Sequence, residues 1–86
     1  MTSDESSEAT RYRAPALDKG LDILELLAAS SMGLTQAEIA KGLGRGANEI
    51  YRMLDTLVRR GYVTRTLDGD RYTLSLRLLV LADIHP

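Results

Sequence analysis

The sequence contains no cysteine, which excludes a disulfide framework, a thiolate nucleophile and a cysteine-based zinc site, and makes a reducing cytoplasm the expected compartment. Histidine is nearly absent. His85 stands one residue from the end with no ligand type near it beyond Asp83, so neither metal binding nor general-base catalysis has support. Long apolar runs are also missing: the longest are only a few residues, against the ~20 that a membrane-spanning helix needs. The opening segment, Met1 to Ala9, is acidic and serine-rich, where a secretory signal is basic and then apolar. Nor is there an excess of one charge. Eleven Lys and Arg against 12 Asp and Glu give a formal net charge of −1, a sum that on its face argues against a nucleic-acid binder.

The 86 residues have room for one small domain and exclude a two-domain enzyme. Leu, Ile and Val make 22 of them, enough apolar material for a chain that folds. Residues 1–14 have no apolar period and are rich in Ser, Thr, Asp and Glu, a composition that reads as a mobile arm. The folded domain is expected over 15–75, with 76–86 opening a further helix. A core of this size is thin, and a second copy would help it.

From Pro15 to Ser30, Leu17, Leu21, Leu24, Leu27 and Ala28 recur at helical spacing, with Asp18, Lys19, Asp22 and Glu25 opposite. This predicts an amphipathic helix with Pro15 in its first turn. Thr35-Gln36-Ala37-Glu38 fits a capping box, and Leu34 and Ile39 stand at the flanking positions of a hydrophobic staple. A short second helix therefore runs from about Gln36 to Leu43. Gly42-Leu43-Gly44-Arg45-Gly46 is a turn, and Gly46 can cap a third helix from about Ala47 to Arg60. That helix places Ile50, Met53, Leu54 and Leu57 on one face and ends at Gly61.

After Gly61 the period changes. Tyr62 to Thr66 and Arg71 to Leu74 are rich in β-branched and aromatic residues and flank Leu67-Asp68-Gly69-Asp70, which predicts a β-hairpin. From Ser75, the residues Leu76, Leu79, Val80 and Ile84 suggest a fourth helix. Helix, helix, turn, helix, hairpin, helix is the order of a winged helix-turn-helix: mainly α with a small β-hairpin, a three-helix core, a wing and a C-terminal linker helix.

In such a fold the helix after the turn enters the major groove with its N-terminal residues at base edges. On the polar face of helix 47–60, Asn48 and Arg52 lead, because Asn binds adenine and Arg binds guanine bidentately. Tyr51 borders that face, and Thr56 and Arg59 continue it. Asp55 is out of place beside phosphate unless Arg59 or Arg52 neutralises it, so the helix is expected to enter by its first two turns. Arg65 and Arg71 flank the wing turn as candidate phosphate contacts. Arg11 and Arg13 around Tyr12 resemble arms that order in a minor groove. Against these stand a plain solvated helix face, and arginines that only balance Asp68 and Asp70.

Catalytic readings fail. The run Gly42, Gly44, Gly46 lacks the spacing of a dinucleotide fingerprint and follows a helix where that fingerprint follows a strand. Ser30 and Ser31 have no base to activate them. No enzyme activity, cofactor, metal or membrane partner is expected.

The run Ala16 to Leu27, then Leu34-Thr35-Gln36-Ala37-Glu38-Ile39-Ala40, Ile50 to Leu54 with Thr56-Leu57, Gly61-Tyr62-Val63 and Tyr72-Thr73-Leu74 resembles the N-terminal DNA-binding domain of IclR-type bacterial transcription regulators. The resemblance covers about residues 15–82. It implies a winged helix-turn-helix that binds double-stranded operator DNA as a homodimer, with a small-molecule effector taken by a C-terminal domain that is not part of these 86 residues. It also implies that Arg52 and the residues opening the third helix, among them Arg45 and Ala47, approach DNA. Gly46-Ala47 replaces the Pro or Ser and basic or polar residue of most members, and Glu49 stands where many have Ser or Thr. The other reading kept open is a winged-helix module for protein contact without specific DNA reading.

The near-zero charge is a sum of opposites. Residues 1–40 carry three basic and seven acidic side chains, whereas residues 41–77 carry eight basic and four acidic, a local excess of +4. The positive portion is the one that holds the expected reading helix and wing.

Overall fold

A computed structural model describes residues 14–84. The arm with Arg11, Tyr12 and Arg13, and also His85, lie outside the described residues. Along the chain run α1 (Pro15–Ala28), α2 (Gln36–Leu43), α3 (Ala47–Arg59), β1 (Val63–Arg65), β2 (Tyr72–Leu74) and α4 (Arg77–Asp83). The order is that of a winged helix-turn-helix.

Helix α1 starts at Pro15, with Asp18 in the first turn where a carboxylate complements the helix dipole. Its inward face differs from the expected one. Ile23 and Leu27 are buried and Leu24 and Leu26 pack against them, while Leu17 and Leu21 are 61% and 45% exposed and Ala28 is exposed as well. The apolar stripe is wider than the contact it has to make. The core side is turned by roughly one residue's step, about 100°, from the centre that the leucine spacing suggested.

The capping box of α2 is formed in full. Thr35 Oγ1 accepts from the Glu38 amide at 3.1 Å, and the Thr35 amide donates to Glu38 Oε1 at 2.8 Å. Leu34 and Ile39 both join the core. The helix stops at Gly44, whose φ of +64° lets the chain turn toward α3 at no side-chain cost. Gly46 then opens α3 without a side-chain cap, Ile50 and Leu54 are buried beneath it, and Met53 and Leu57 are half-buried. The helix ends one residue before the expected Arg60.

The wing is shorter than expected. Val63, Thr64 and Arg65 pair antiparallel with Leu74, Thr73 and Tyr72, while Tyr62, Thr66 and Arg71 fall outside the strands. It is also better anchored. Leu34, just before α2, exchanges two backbone hydrogen bonds with Tyr72 at 3.0 and 2.8 Å, so the stretch leading into the helix-turn-helix adds an antiparallel bridge to β2 of the hairpin. Gly33 permits that approach: its φ is +82°, and a Cβ there would lie 2.7 Å from Thr73 Cγ2 and 2.9 Å from the Tyr72 carbonyl.

Among the described residues, eight side chains form the core: Ile23, Leu27, Ile39, Ala40, Ile50, Leu54, Val63 and Tyr72. A Leu or Ile moved fully out of water contributes about 1.5–3 kcal/mol, so this cluster is what packs α1, α2, α3 and the wing against one another. Helix α4 stands apart from this cluster. It begins two residues later than expected, after the Ser75 hydroxyl accepts from the Arg77 amide, and no α4 residue is buried.

Candidate nucleic-acid interface

The polar side of α3 presents Asn48, Tyr51 and Arg52 to solvent over its first two turns. Asn48 and Arg52 lie one turn apart on one face. The Arg52 guanidinium makes no hydrogen bond or ion pair among the described residues; only the field of Glu49 reaches it. It is a cation exposed on a rigid helix with no protein partner of its own.

The carboxylates that share this face are already engaged. Lys19 of α1 reaches across to Glu49 Oε2 at 2.6 Å, and Arg45 approaches Glu49 Oε1 at 4.0 Å. The Lys19 hydrogen bond, with the charges of Lys19, Arg45 and Arg52 behind it, holds the Glu49 carboxyl below its ordinary range. Asp55 pairs with Arg59 Nε at 3.1 Å, which answers the objection that a bare carboxylate would face phosphate. The pairing occupies Arg59 as well. Arg59 also donates to Thr56 Oγ1, and the Thr56 hydroxyl donates to the Arg52 carbonyl at 3.3 Å. The last turns of α3 are thus satisfied internally, whereas the first two are not.

The remaining expected residues fall as follows. Arg45 lies in the turn before α3, and Ala47 is exposed at its first position, where its carbonyl accepts from Gln36 Nε2 at 3.1 Å. Thr56 sits at the edge of an apolar groove between α1 and α3, beside Leu17, Leu21, Met53 and Leu57, away from Asn48. Tyr51 and Arg65 meet across a narrow notch between α3 and the wing. Arg65 is 5.2 Å above the Tyr72 ring and donates to the Gly69 carbonyl at 2.7 Å. Arg71 points back into the domain, donating to the Gly33 carbonyl at 3.0 Å and lying 3.5 Å from Glu38.

Sequence reasoning missed the residues that hold this surface in place. Lys19 was read as outer-face charge, Gln36 as a capping-box spacer and Glu38 as a cap, yet Lys19 and Gln36 fix the start of α3, and Glu38 also meets the wing. The partners are 30, 11 and 33 positions away, respectively. Among the described residues no group of His, Cys, Asp or Glu is arranged to hold a metal ion, and no helix is long and apolar enough to cross a membrane.

A helix with an outward Asn48–Arg52 face, preceded by a capped helix and followed by an anchored hairpin, defines a winged helix-turn-helix DNA-binding domain. The profile of the IclR helix-turn-helix domain matches residues 16–67, and the chain belongs to that family. The HTH-type transcriptional regulator BhcR of Paracoccus denitrificans is 52% identical over 46 residues, covering 54% of this chain and 16% of BhcR. The structure of an IclR transcriptional regulator from Alicyclobacillus acidocaldarius superposes with a TM-score of 0.76 at 30% identity, over 84% of this chain and 29% of that one. An IclR family transcriptional regulator from Brucella abortus gives 0.75 at 29% identity, over 85% and 28%. The chain thus spans less than a third of the length of each of these relatives. The family and these relatives are transcription regulators.

Proposed function

We propose that this domain reads operator DNA as a homodimer for a cytoplasmic transcription regulator, with the first two turns of α3 in the major groove. Asn48 and Arg52 read base edges, Tyr51 borders them, and Arg45 and the amides at the start of α3, Ala47 included, meet phosphate. Arg65 lies beside the groove at the base of the wing. The single observation that carries this reading is the unpartnered Arg52 guanidinium on a face whose acids, Glu49 and Asp55, are neutralised by Lys19 and Arg59. Arg59 and Thr56 are secondary, because they are engaged with Asp55 and with each other.

Dimerisation rests on exposed apolar surface. Leu17 and Leu21 of α1 and Leu76, Leu79 and Ile84 in and around α4 are exposed, a density of apolar surface that a lone soluble domain rarely leaves open. A protein-contact module without DNA reading would also use apolar surface, but it would leave Arg52 and Asn48 with no role.

Selection of bound duplexes from a random pool tests the proposal. Recovery of a palindrome whose half-sites lie about one helical turn apart, ~34 Å, is the expected result. Recovery of no common sequence would leave the protein-contact reading in its place.

A further inference from the structure

The wing carries two arginines of opposite disposition, and Arg71 is the one turned inward. Its Nη1 donates to the Gly33 carbonyl, 38 positions back in the chain, at 3.0 Å. The same guanidinium lies 3.5 Å from Glu38 Oε1, the oxygen that accepts from the Thr35 amide in the capping box. Beside this contact run the two backbone hydrogen bonds between Leu34 and Tyr72, the residue after Arg71. Gly33 is held at positive φ, with the wing backbone too close for any side chain.

We propose that Arg71 is a positioning residue: a clamp that fixes the angle of the wing on the helix-turn-helix by tying β2 to the Gly33 carbonyl and to the capping carboxylate of α2. Three features converge on one junction: the backbone bridge, the glycine that lets it close and the guanidinium across it. An exposed Arg–Glu pair contributes little alone. Here the pair is joined to a charge-assisted hydrogen bond on a backbone carbonyl, which is the stronger class. The Thr35 amide first, and the Arg71 charge further, hold the Glu38 carboxyl below its ordinary range. A phosphate-contacting arginine turns its donors to the anion, as Arg52 can. Arg71 directs Nη1 and its charge back to the protein.

The test compares Arg71→Ala and Glu38→Gln in the 86-residue chain by amide hydrogen exchange without DNA, and by DNA affinity across a salt series. Glutamine at position 38 retains the capping box, so α2 keeps its start. The expected result for Arg71→Ala is exchange about tenfold faster at the Leu34 and Tyr72 amides, with Ile50 and Leu54 unchanged. Glu38→Gln has a smaller effect in the same direction and adds nothing in the Arg71→Ala background. On DNA, Arg71→Ala weakens binding while leaving the slope of log K against log salt as in the parent chain. Unchanged exchange at Leu34 and Tyr72, an equal rise at Leu54, or a slope smaller by about 0.9, the signature of one lost phosphate contact, would each overturn the clamp. The DNA arm rests on the DNA-reading proposal and the exchange arm does not, so failure of one is told apart from failure of the other.

Discussion

Two regions of this domain are unfinished in different ways. On the front, formed by α2, α3 and the wing, most acids have a partner within the molecule: Glu49 with Lys19, Asp55 with Arg59, Asp68 with Thr66, and Glu38 with Thr35 and Arg71. Among the described residues the Arg52, Lys41 and Arg60 side chains have no such partner, and of these three Arg52 stands on the polar face of the first two turns of α3. The other region is apolar: among the described residues Leu17 and Leu21 on the outer stripe of α1, and Leu76, Leu79 and Ile84 in and around α4, are largely exposed. Polar groups in water lose little by waiting for a partner, but exposed apolar surface has a standing cost of about 25 cal/mol per Å². The acids of the front are thus largely neutralised within the protein, which leaves its exposed cations open to an anion, while the outer leucines are apolar surface left in water.

Substitutions that act on one region alone can break this comparison. The largest effect is expected from Leu21→Asp in the apolar region. In a symmetric interface each copy loses a leucine, so dimerisation should weaken by about 3 kcal/mol or more, while monomer folding, where Leu21 is half-buried beside Met53 and Leu57, shifts by less, about 1 kcal/mol. Sedimentation and thermal melting separate the two quantities, and a matching loss of melting temperature would place Leu21 in the core instead. On the front, Arg52→Ala should cost about 1–3 kcal/mol of DNA affinity and relax preference at one base position without changing the oligomeric state. Undiminished binding to a selected duplex would take Arg52 out of the groove.

Thr35→Ala sharpens the comparison from beneath, because it weakens the scaffold of the front and touches neither partner surface. It should lower stability by about 1 kcal/mol, read as a drop of roughly 4–8 °C in melting temperature for a domain of this size. An equal melting temperature would show that the two capping hydrogen bonds contribute nothing.

The smallest effect concerns acid. Glu38 and Glu49 titrate below the ordinary carboxylate value of 4.5, Glu38 chiefly through the Thr35 amide and Glu49 chiefly through Lys19. A carboxylate whose folded value lies below its unfolded one adds stability above the unfolded value and loses it as pH falls through the folded one. Melting temperature should therefore decline as pH falls below about 4.5, and Glu49→Gln should flatten that decline. A variant with the unchanged acid profile would separate Glu49 from it.

What was legible in the sequence was local. The capping box at Thr35 and Glu38, Gly46 opening α3, the buried Ile50 and Leu54 and the Asp-Gly hairpin turn all depend on residues a few positions apart, and each is found in the structure. The inward face of α1 was misplaced because its apolar stripe includes two sets of residues: Ile23 and Leu27 serve the core, while Leu17 and Leu21 lie outside it. Helical periodicity cannot sort them without knowing where α2 and the wing lie. Contacts such as Lys19 with Glu49, Leu34 with Tyr72 and Arg71 with Gly33 span 30 to 38 positions and leave no local pattern. For the candidate site this mattered unevenly. Asn48 and Arg52 face outward on α3 as its period requires, and Arg59 pairs with Asp55 one turn away as expected, whereas the partners taken up by Arg65 and Arg71 became visible only with the fold.

That the front is a phosphate-tracking, base-reading face is tested most directly by the salt dependence of DNA affinity for the unmodified chain on a selected duplex. Binding led by Arg52, Arg45 and the start of α3 must release counterions, so log K should fall linearly with log salt, by about 0.9 for each phosphate contacted, and more weakly bound unrelated duplexes should show a similar fall. Affinity that stays flat as salt rises would contradict the claim and leave the front without a polyanionic partner.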